Sequence, residues 1–354
     1  MQVNNYEVMT SRFEKFFNRL KPNDRLAIFT HASCTDGMIS AIFAGEILKK
    51  INIKPAVLHF THYKKEIFKE INETIRKNRA NKVLILDTNV DTVDLDGFNE
   101  FANKNDFLYV DHHPCNPMLR DSEQIIKAES ADCTSWLIYK LGANLFDRDK
   151  WTWLACAAMV SEFSYDKKEN LDFLIKQYPA LTKDKIMKSV PGKNSMKVGA
   201  LIIYYNKNQH KIYSLLERGD LREMDKISRE VADEVGKYVK KFKKEAEYYP
   251  KEKTYIYYYS PKFDVSSTIT TTLSVKDPEK IFVSICNVDD KNAKCSMRHQ
   301  AGFYDLNKIA NESVRNLESG SGGGHRKASG ARMLVKDTPE FKKRLLKAIR
   351  EFKE

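Results

Sequence analysis

The sequence predicts an α/β fold: a parallel sheet with helices on both faces, then a helical region and linker, then a smaller α/β domain. Three observations predict it. Short apolar runs alternate with helix-patterned segments between residues 25 and 110, the signature of a parallel sheet. Those runs are apolar throughout rather than at every second position, as in strands buried on both faces. Strand-like runs then cease until residue 254, beyond a long charged stretch of helical pattern. Domains are accordingly expected at 1–166, 167–250 and 251–354.

Taken in order, "RLAIFT" (25–30) reads as a strand and "GMISAIFAGEILKKI" (37–51) as a helix. "PAVLHF" (55–60) is a strand. The helix after it, "KKEIFKEINETIRKN" (64–78), has apolar residues three and four apart. "KVLIL" (82–86) and "FLYV" (107–110) are further strands. Residues 133–165 read as two helices, the second containing "WTWLACAAMVSEF", and the charged stretch to 245 is helical. "TYIYYY" (254–259), "KIFVSICNV" (280–288) and "KCSMR" (294–298) are strand-like, and "DLNKIANESVRNL" (305–317) is a helix. A glycine-rich stretch, "ESGSGGGHRKASGAR" (318–332), precedes the basic amphipathic helix "PEFKKRLLKAIREF".

Bulk properties exclude several classes. Apolar residues make up 42% and charged residues of both signs 31% of 354, enough for real cores and unlike a disordered chain. No uncharged apolar run approaches the ~20 residues of a membrane span. The opening "MQVNNYEVMTSRFEKFF" lacks the apolar core of a signal peptide. Six cysteines without a CxxC pair read as reduced thiols, so a cytoplasmic protein is expected rather than a disulfide framework. Net charge is +12, and from Lys240 onward 24 Lys and Arg face 15 Asp and Glu. Such a basic end favours nucleic acid, nucleotides or phosphate esters, with lysine-rich solvated helices as the plain alternative.

The chemistry sits where strands end. After "AIFT" come His31, Cys34 and Asp36; after "VLIL" comes Asp87; after "LYV" come Asp111, His112 and His113. In open α/β sheets ligands bind at the carboxyl ends of strands. Three strand ends therefore bring His, Asp, Asp and His to one edge, a pattern suited to metal or phosphate. The eight histidines of the chain include two side by side in "LYVDHHPCN", which a polar turn does not explain. Glu162 follows the apolar run of its helix and is either the first exposed residue or a site carboxylate. In "GSGGGH", Gly322, Gly323 and Gly324 let backbone approach a ligand and offer N–H groups to phosphate, with His325 beside them. Arg298 suits bidentate phosphate contact. His299 reads as a surface residue, His59, His62 and His210 as ordinary polar positions, and Cys115 as a buried free thiol.

The order His31…Asp36-Gly37, Asp87, Asp111-His112-His113 and a distant Gly322-Gly323-Gly324-His325 resembles the DHH phosphoesterases with a C-terminal DHHA1 domain. That family includes RecJ-type exonucleases, nanoRNases, phosphatases acting on pAp and cyclic-dinucleotide phosphodiesterases. The resemblance spans residues 25–165 and 254–332. It makes the first expected domain the DHH catalytic domain and the last the DHHA1 substrate-binding domain. It implies two metal ions, usually manganese, with magnesium or another divalent ion as alternatives. His31 and Asp87 would hold one ion; Asp36, Asp87 and His112 the other, with Asp87 bridging. Glu162 stands where the family has an aspartate. Asp111 would orient His112, and His113 would face the substrate phosphate. Arg298 falls where members place an arginine for phosphate. The first motif departs from Asp-x-Asp-Gly: Cys34 replaces its first carboxylate. Cys34 either ligates as a thiolate, leaves one ion a ligand short, or is a bystander, and ligation is favoured. The resemblance implies a metal-dependent phosphoesterase of nuclease type acting on short oligonucleotides, with a small-nucleotide phosphatase or phosphodiesterase and a catalytically weak nucleotide-binding protein as alternatives. It leaves the oligomeric state open, a homodimer included.

Overall fold

The computed structural model describes residues 6–352 except 63, 115, 117, 118, 120, 121, 129 and 130, so Cys115 lies outside the described residues. The chain forms two compact units, divided between Ile227 and Ser228.

The first unit is built on a parallel sheet of β1 (Leu26–His31), β2 (Val57–Thr61), β3 (Lys82–Leu86), β4 (Phe107–Asp111) and β5 (Ile125–Lys127), in the order β2-β1-β3-β4-β5. Alternate strand residues enter two separate cores. Leu26, Ile28, Leu84, Leu86, Leu108 and Val110 meet α1 (Tyr6–Asn18), α2 (Thr35–Lys50), α6 (Thr134–Leu141) and α7 (Arg148–Ser161) on one face. Ala27, Phe29, Val83, Ile85, Phe107 and Tyr109 meet α3 (Ile67–Asn78) and α5 (Leu95–Lys104), which follows the short α4 (Val90–Val93), on the other. This is why the strands read as unbroken apolar runs. The helices α8 (Lys168–Gln177), α9 (Val190–Tyr205) and α10 (Gln209–Arg218) follow, and α11 (Leu221–Glu245) runs on into the second unit, where its Phe242 packs on Tyr255, Tyr257 and Phe282. Leu174, Val198, Leu201, Ile212 and Leu216 extend the first core, so this stretch is partly an outer helical layer of the sheet.

Strand order reverses between β1 and β3, so the connections leaving their carboxyl ends run to opposite faces of the sheet, where open α/β sheets bind ligands. His31 ends β1 and Asp87 directly follows β3. Asp87 has φ +50°, a left-handed conformation uncommon outside glycine, at a strand end where it turns the carboxylate out of the ladder.

The second unit is a mixed sheet of β6 (Glu247–Tyr249), β7 (Thr254–Tyr258), β8 (Ile281–Asn287), β9 (Asn292–Arg298), β10 (Ser321–His325) and β11 (Ala328–Leu334). Its order is β10-β11-β9-β8-β7-β6, with only β7 and β8 parallel. Helices α13 (Leu306–Val314) and α14 (Thr338–Glu351) bury Ala293, Cys295, Met297, Ala331 and Met333 on one face. On the other face α12 (Ser266–Ser274) lies over β8, where Thr270 donates to Ser284 Oγ at 2.7 Å. Among the described residues no helix is long and apolar enough to cross a membrane.

Candidate metal centre and phosphate site

The turn from β1 into α2 sets the first half of the centre. Cys34 is the N-cap of α2, its Sγ accepting the Gly37 N–H at 3.1 Å. Gly37 is required: a Cβ there would lie 2.4 Å from the His31 carbonyl oxygen. The same turn brings Cys34 Sγ within 3.2 Å of His31 Nδ1 and 2.9 Å of Asp87 Oδ2. Burial and the Asp87 and Asp36 charges push the Cys34 thiol well up, so it donates to Asp87. A divalent cation bound here would reverse that preference by stabilising the thiolate. Burial, with the neighbouring His62 and His113, pulls His31 down to about 4 and keeps its imidazole neutral, the form a metal takes.

Asp36 points deeper. Its carboxylate accepts the N–H groups of Thr134 and Ser135 at 2.7 and 2.8 Å and the Ser135 hydroxyl at 2.5 Å. The N-terminus of α6 thus fixes an anion at its positive end. Asp36 Oδ2 lies 3.8 Å from His112 Nε2, and Asp87 Oδ1 lies 3.4 Å from the same nitrogen. Asp87 Oδ1 also accepts from the Thr134 hydroxyl at 3.2 Å. Burial and the Asp36 charge raise the Asp87 carboxyl, while Asp87 and Asp36 raise His112 against its burial. Each group is shifted toward holding a cation or proton between them. Glu162 caps α7 and accepts from Ser161 at 2.9 Å; burial and the Asp36 charge raise it, and His112 and His113 lower it, so it faces the same cluster.

Among the described residues, donor atoms come within 4.8 Å of one another in two sets: His31, Cys34 and Asp87, and Asp87, His112 and His113. Asp87 belongs to both, one oxygen toward Cys34 and the other toward His112. A mixed imidazole, thiolate and carboxylate set fits a divalent transition metal better than an all-oxygen site does. His112 Nδ1 is buried and has no hydrogen-bond partner among the described residues, while Nε2 faces Asp87 and Asp36.

One expected contact is corrected. Asp111 does not hold His112: its Oδ1 accepts from His113 Nδ1 at 2.8 Å. β4 ends at Asp111, and past it the chain bends so that the two imidazoles stay side by side, ring centroids 4.5 Å apart, with His113 turned to Asp111. Asp111 is itself anchored. Tyr109 donates to it at 2.9 Å and the buried Lys127 ammonium lies 3.0 Å away, 2.6 Å from Asp91. Burial alone would raise Asp111, but His113 and Lys127 outweigh it and hold the carboxyl well below its usual range.

In the second unit Arg298 ends β9. Its guanidinium donates to Thr271 Oγ1 at 3.1 Å, Ser267 Oγ at 2.6 Å, Ser296 Oγ at 3.4 Å and the Met297 carbonyl at 2.8 Å. No carboxylate is paired with this half-buried cation among the described residues. Gly322, Gly323, Gly324 and His325 form the edge strand β10 rather than a loop. A Cβ at Gly322 would meet the Ala310 carbonyl at 2.7 Å, and Gly324 has φ +140°, whereas a Cβ at Gly323 would meet nothing within 4 Å. His325 is exposed. His299, expected on the surface, is fully buried against Phe303 and Tyr304.

Residues 25–160 match the DHH family, N-terminal domain, and residues 252–353 match the DHHA1 domain. The chain is a DHH/DHHA1 family protein. No curated protein sequence matches it. Among solved structures it is similar to an exonuclease RecJ bound to manganese, at 12% identity and TM-score 0.71, covering 100% of this chain and 97% of that one. It is also similar to RecJ in complex with Mn2+ from Thermus thermophilus, at 13% identity and TM-score 0.67. That match covers 98% of this chain and 55% of the relative, so the chain spans about half of that protein's length. A pGpG-specific phosphodiesterase, PggH from Vibrio cholerae, aligns at 12% identity and TM-score 0.51, covering 92% and 99%. At these identities the likeness is one of fold: the chain has the phosphoesterase fold of the DHH family.

The DHH/DHHA1 pattern left some neighbours of the centre unread. His62 follows β2 and lies 3.2 Å from Ser33 Oγ, close enough to depress His31. The strand-end rule that picked out His31 and Asp87 applies equally to it. Tyr109, Asp91 and Lys127 had no such signal, except that Lys127 stands in an otherwise apolar strand. His59 turns away to Glu70, at 2.5 Å.

Proposed function

We propose that this protein is a divalent-metal-dependent phosphoesterase that hydrolyses short oligonucleotides, with manganese as the expected ion. The observation that carries the reading is the sharing of Asp87 between the two donor sets. In this reading His31, Cys34 and Asp87 hold one ion, and Asp87 and His112 the other; Asp36, outside both donor sets but 3.8 Å from His112 Nε2, would complete the second site, with Glu162 at its margin. Two such ions supply Lewis-acid stabilisation of the phosphoryl oxygens and a lowered pKa for the attacking water. The protein's own groups do the rest. His113, fixed through Nδ1 by Asp111, faces the substrate phosphate. Arg298, oriented by four partners that take four of its five N–H donors, offers a phosphate its charge and the remaining N–H with little loss of side-chain freedom. Gly323 leaves the edge strand open to a ligand, and His325 adds a donor.

Incubation with manganese and a panel of two-to-five-nucleotide RNA, matching DNA, pAp and a cyclic dinucleotide tests the reading. Mononucleotide release from the short RNA is expected. Hydrolysis of pAp or the cyclic dinucleotide alone would move the assignment to a small-nucleotide enzyme, and binding without turnover to a nucleotide-binding protein.

A further inference from the structure

The outer face of the second sheet carries more positive charge than one phosphate needs. Register places Lys294 of β9 directly opposite Arg332 of β11, and Arg332 opposite Ser321 of β10. Four residues along, Arg298 stands opposite Ala328, and Ala328 opposite His325. The row between them is Ser296, Gly330 and Gly323, with no side chain on two of its three strands. All these residues share one face, since Ala293, Cys295, Met297, Ala331 and Met333 point into the core opposite. Arg332, Ser321 and His325 are exposed.

Like charges directly opposite on neighbouring strands destabilise a sheet. Here the cost is increased because Lys294 is largely covered, with 18% of its side chain exposed. Burial and the Arg332 charge bring its ammonium down to about 8. Asp264 contacts Lys294, but it is one exposed carboxylate against two cations. Arg332 has no ion pair among the described residues. A cationic pair of this kind is stabilised by an anion that bridges it.

We propose that Lys294 and Arg332 form a second phosphate subsite on this face, so that the second unit holds two phosphates of one single-stranded oligonucleotide. The inference rests on the reading of Arg298 and His325 as phosphate contacts. The two subsites are four residues apart along β9, or about 13 Å at ~3.3 Å per residue. A single phosphate cannot bridge that span. A strand of several nucleotides can, at ~3.4 Å of rise per nucleotide when stacked and more when extended. Ser296 on β9 is buried, but Gly330 and Gly323 lower the row on β11 and β10 and give the chain room to cross there, and the ligand class is therefore a single strand longer than a dinucleotide.

The test is fluorescence anisotropy on the full chain in EDTA, which stops turnover, with labelled oligouridylates of two and six nucleotides. The wild-type protein is expected to bind the six-mer at least ~10-fold more tightly than the two-mer, the discrimination of one charged contact. Lys294→Gln combined with Arg332→Gln should abolish that advantage, change two-mer binding less than about twofold, and lower the salt slope for the six-mer by ~0.7. Arg332→Lys should retain most of the advantage. Unchanged six-mer binding in the double variant, or an equal loss for both lengths, overturns the subsite, as does a wild-type protein without length preference. None of these results depends on hydrolysis. If length preference is present and lost as expected while the manganese panel shows no turnover, the subsite stands and the catalytic reading falls.

Discussion

At the scale of single residues, the centre is defined by how little each side chain is free to do. Asp87 has one oxygen on Cys34 and the other on His112. Asp87→Asn keeps the shape but removes charge from both donor sets, so manganese-dependent turnover should fall at least ~10³-fold. Retention of a tenth of wild-type turnover would end the two-ion assignment. Cys34 serves two purposes, and substitution separates them. As N-cap of α2 it is replaceable by Ser or Asp, both good caps, so neither change should unfold the helix. If the thiolate is a ligand, Cys34→Ser should weaken metal binding in calorimetric titration and Cys34→Asp should restore it. Equal stoichiometry and affinity in all three forms would make Cys34 a cap only. Lys294 offers a pH test in the second unit. Its ammonium is depressed to about 8 from 10.5, so between those values the unfolded chain binds more protons and stability rises with pH. At neutral pH both states are protonated and the full cost of the charge is present. Lys294→Gln should therefore raise Tm at pH 7, with the gain fading toward pH 10.5. A loss of Tm at pH 7 would show that the Asp264 contact dominates.

At the scale of elements, the site depends on one tight junction. The first turn of α2 packs on the end of β1 so closely that a single methyl group at residue 37 would overlap the His31 carbonyl. Gly37→Ala must push α2 or β1 aside, and overpacking of this kind costs about 1–3 kcal/mol. A lower Tm and reduced metal binding are expected together, since the displaced turn carries both His31 and Cys34. Normal metal binding with a lower Tm would mean that the strain is absorbed away from the site. The elements legible in the sequence were those marked by an apolar run or a helical period: β1 to β4, β7 to β9, α2, α3, α6, α7, α13 and α14. Others escaped for physical reasons. In β5 only three residues pair, too few for a pattern. The edge strand β10 is glycine-rich, and glycine has low strand propensity, so pairing with β11 rather than intrinsic preference forms it. The candidate site was legible because strand ends announce themselves by an apolar run stopping at a polar residue. The Asp111 to His113 contact was not, because it depends on how the chain bends after β4.

At the scale of the whole molecule, the candidate metal ligands run from His31 to Glu162 in the first unit and the candidate phosphate contacts from Arg298 to His325 in the second. That separation in sequence allows binding and chemistry to be perturbed independently. Arg298 is held by hydroxyls and a carbonyl, so removing it leaves no buried carboxylate unpaired. Arg298→Ala should therefore fold and bind metal with unchanged stoichiometry. What it loses is a charge-assisted phosphate contact, typically worth about 1.5–3 kcal/mol, or roughly ten- to a hundredfold. If that contact is equally strong in the ground and transition states, the loss appears in KM rather than kcat. His325→Ala should act in the same direction. Bis(p-nitrophenyl) phosphate has no second phosphate or base to grip and needs only the metal centre, so both variants should hydrolyse it close to the wild-type rate. Steady-state kinetics on the two substrates side by side decides the matter. Equal losses on the generic ester and the oligonucleotide would mean that the second unit shapes the metal centre itself, and the division of labour between binding and chemistry would have to be abandoned.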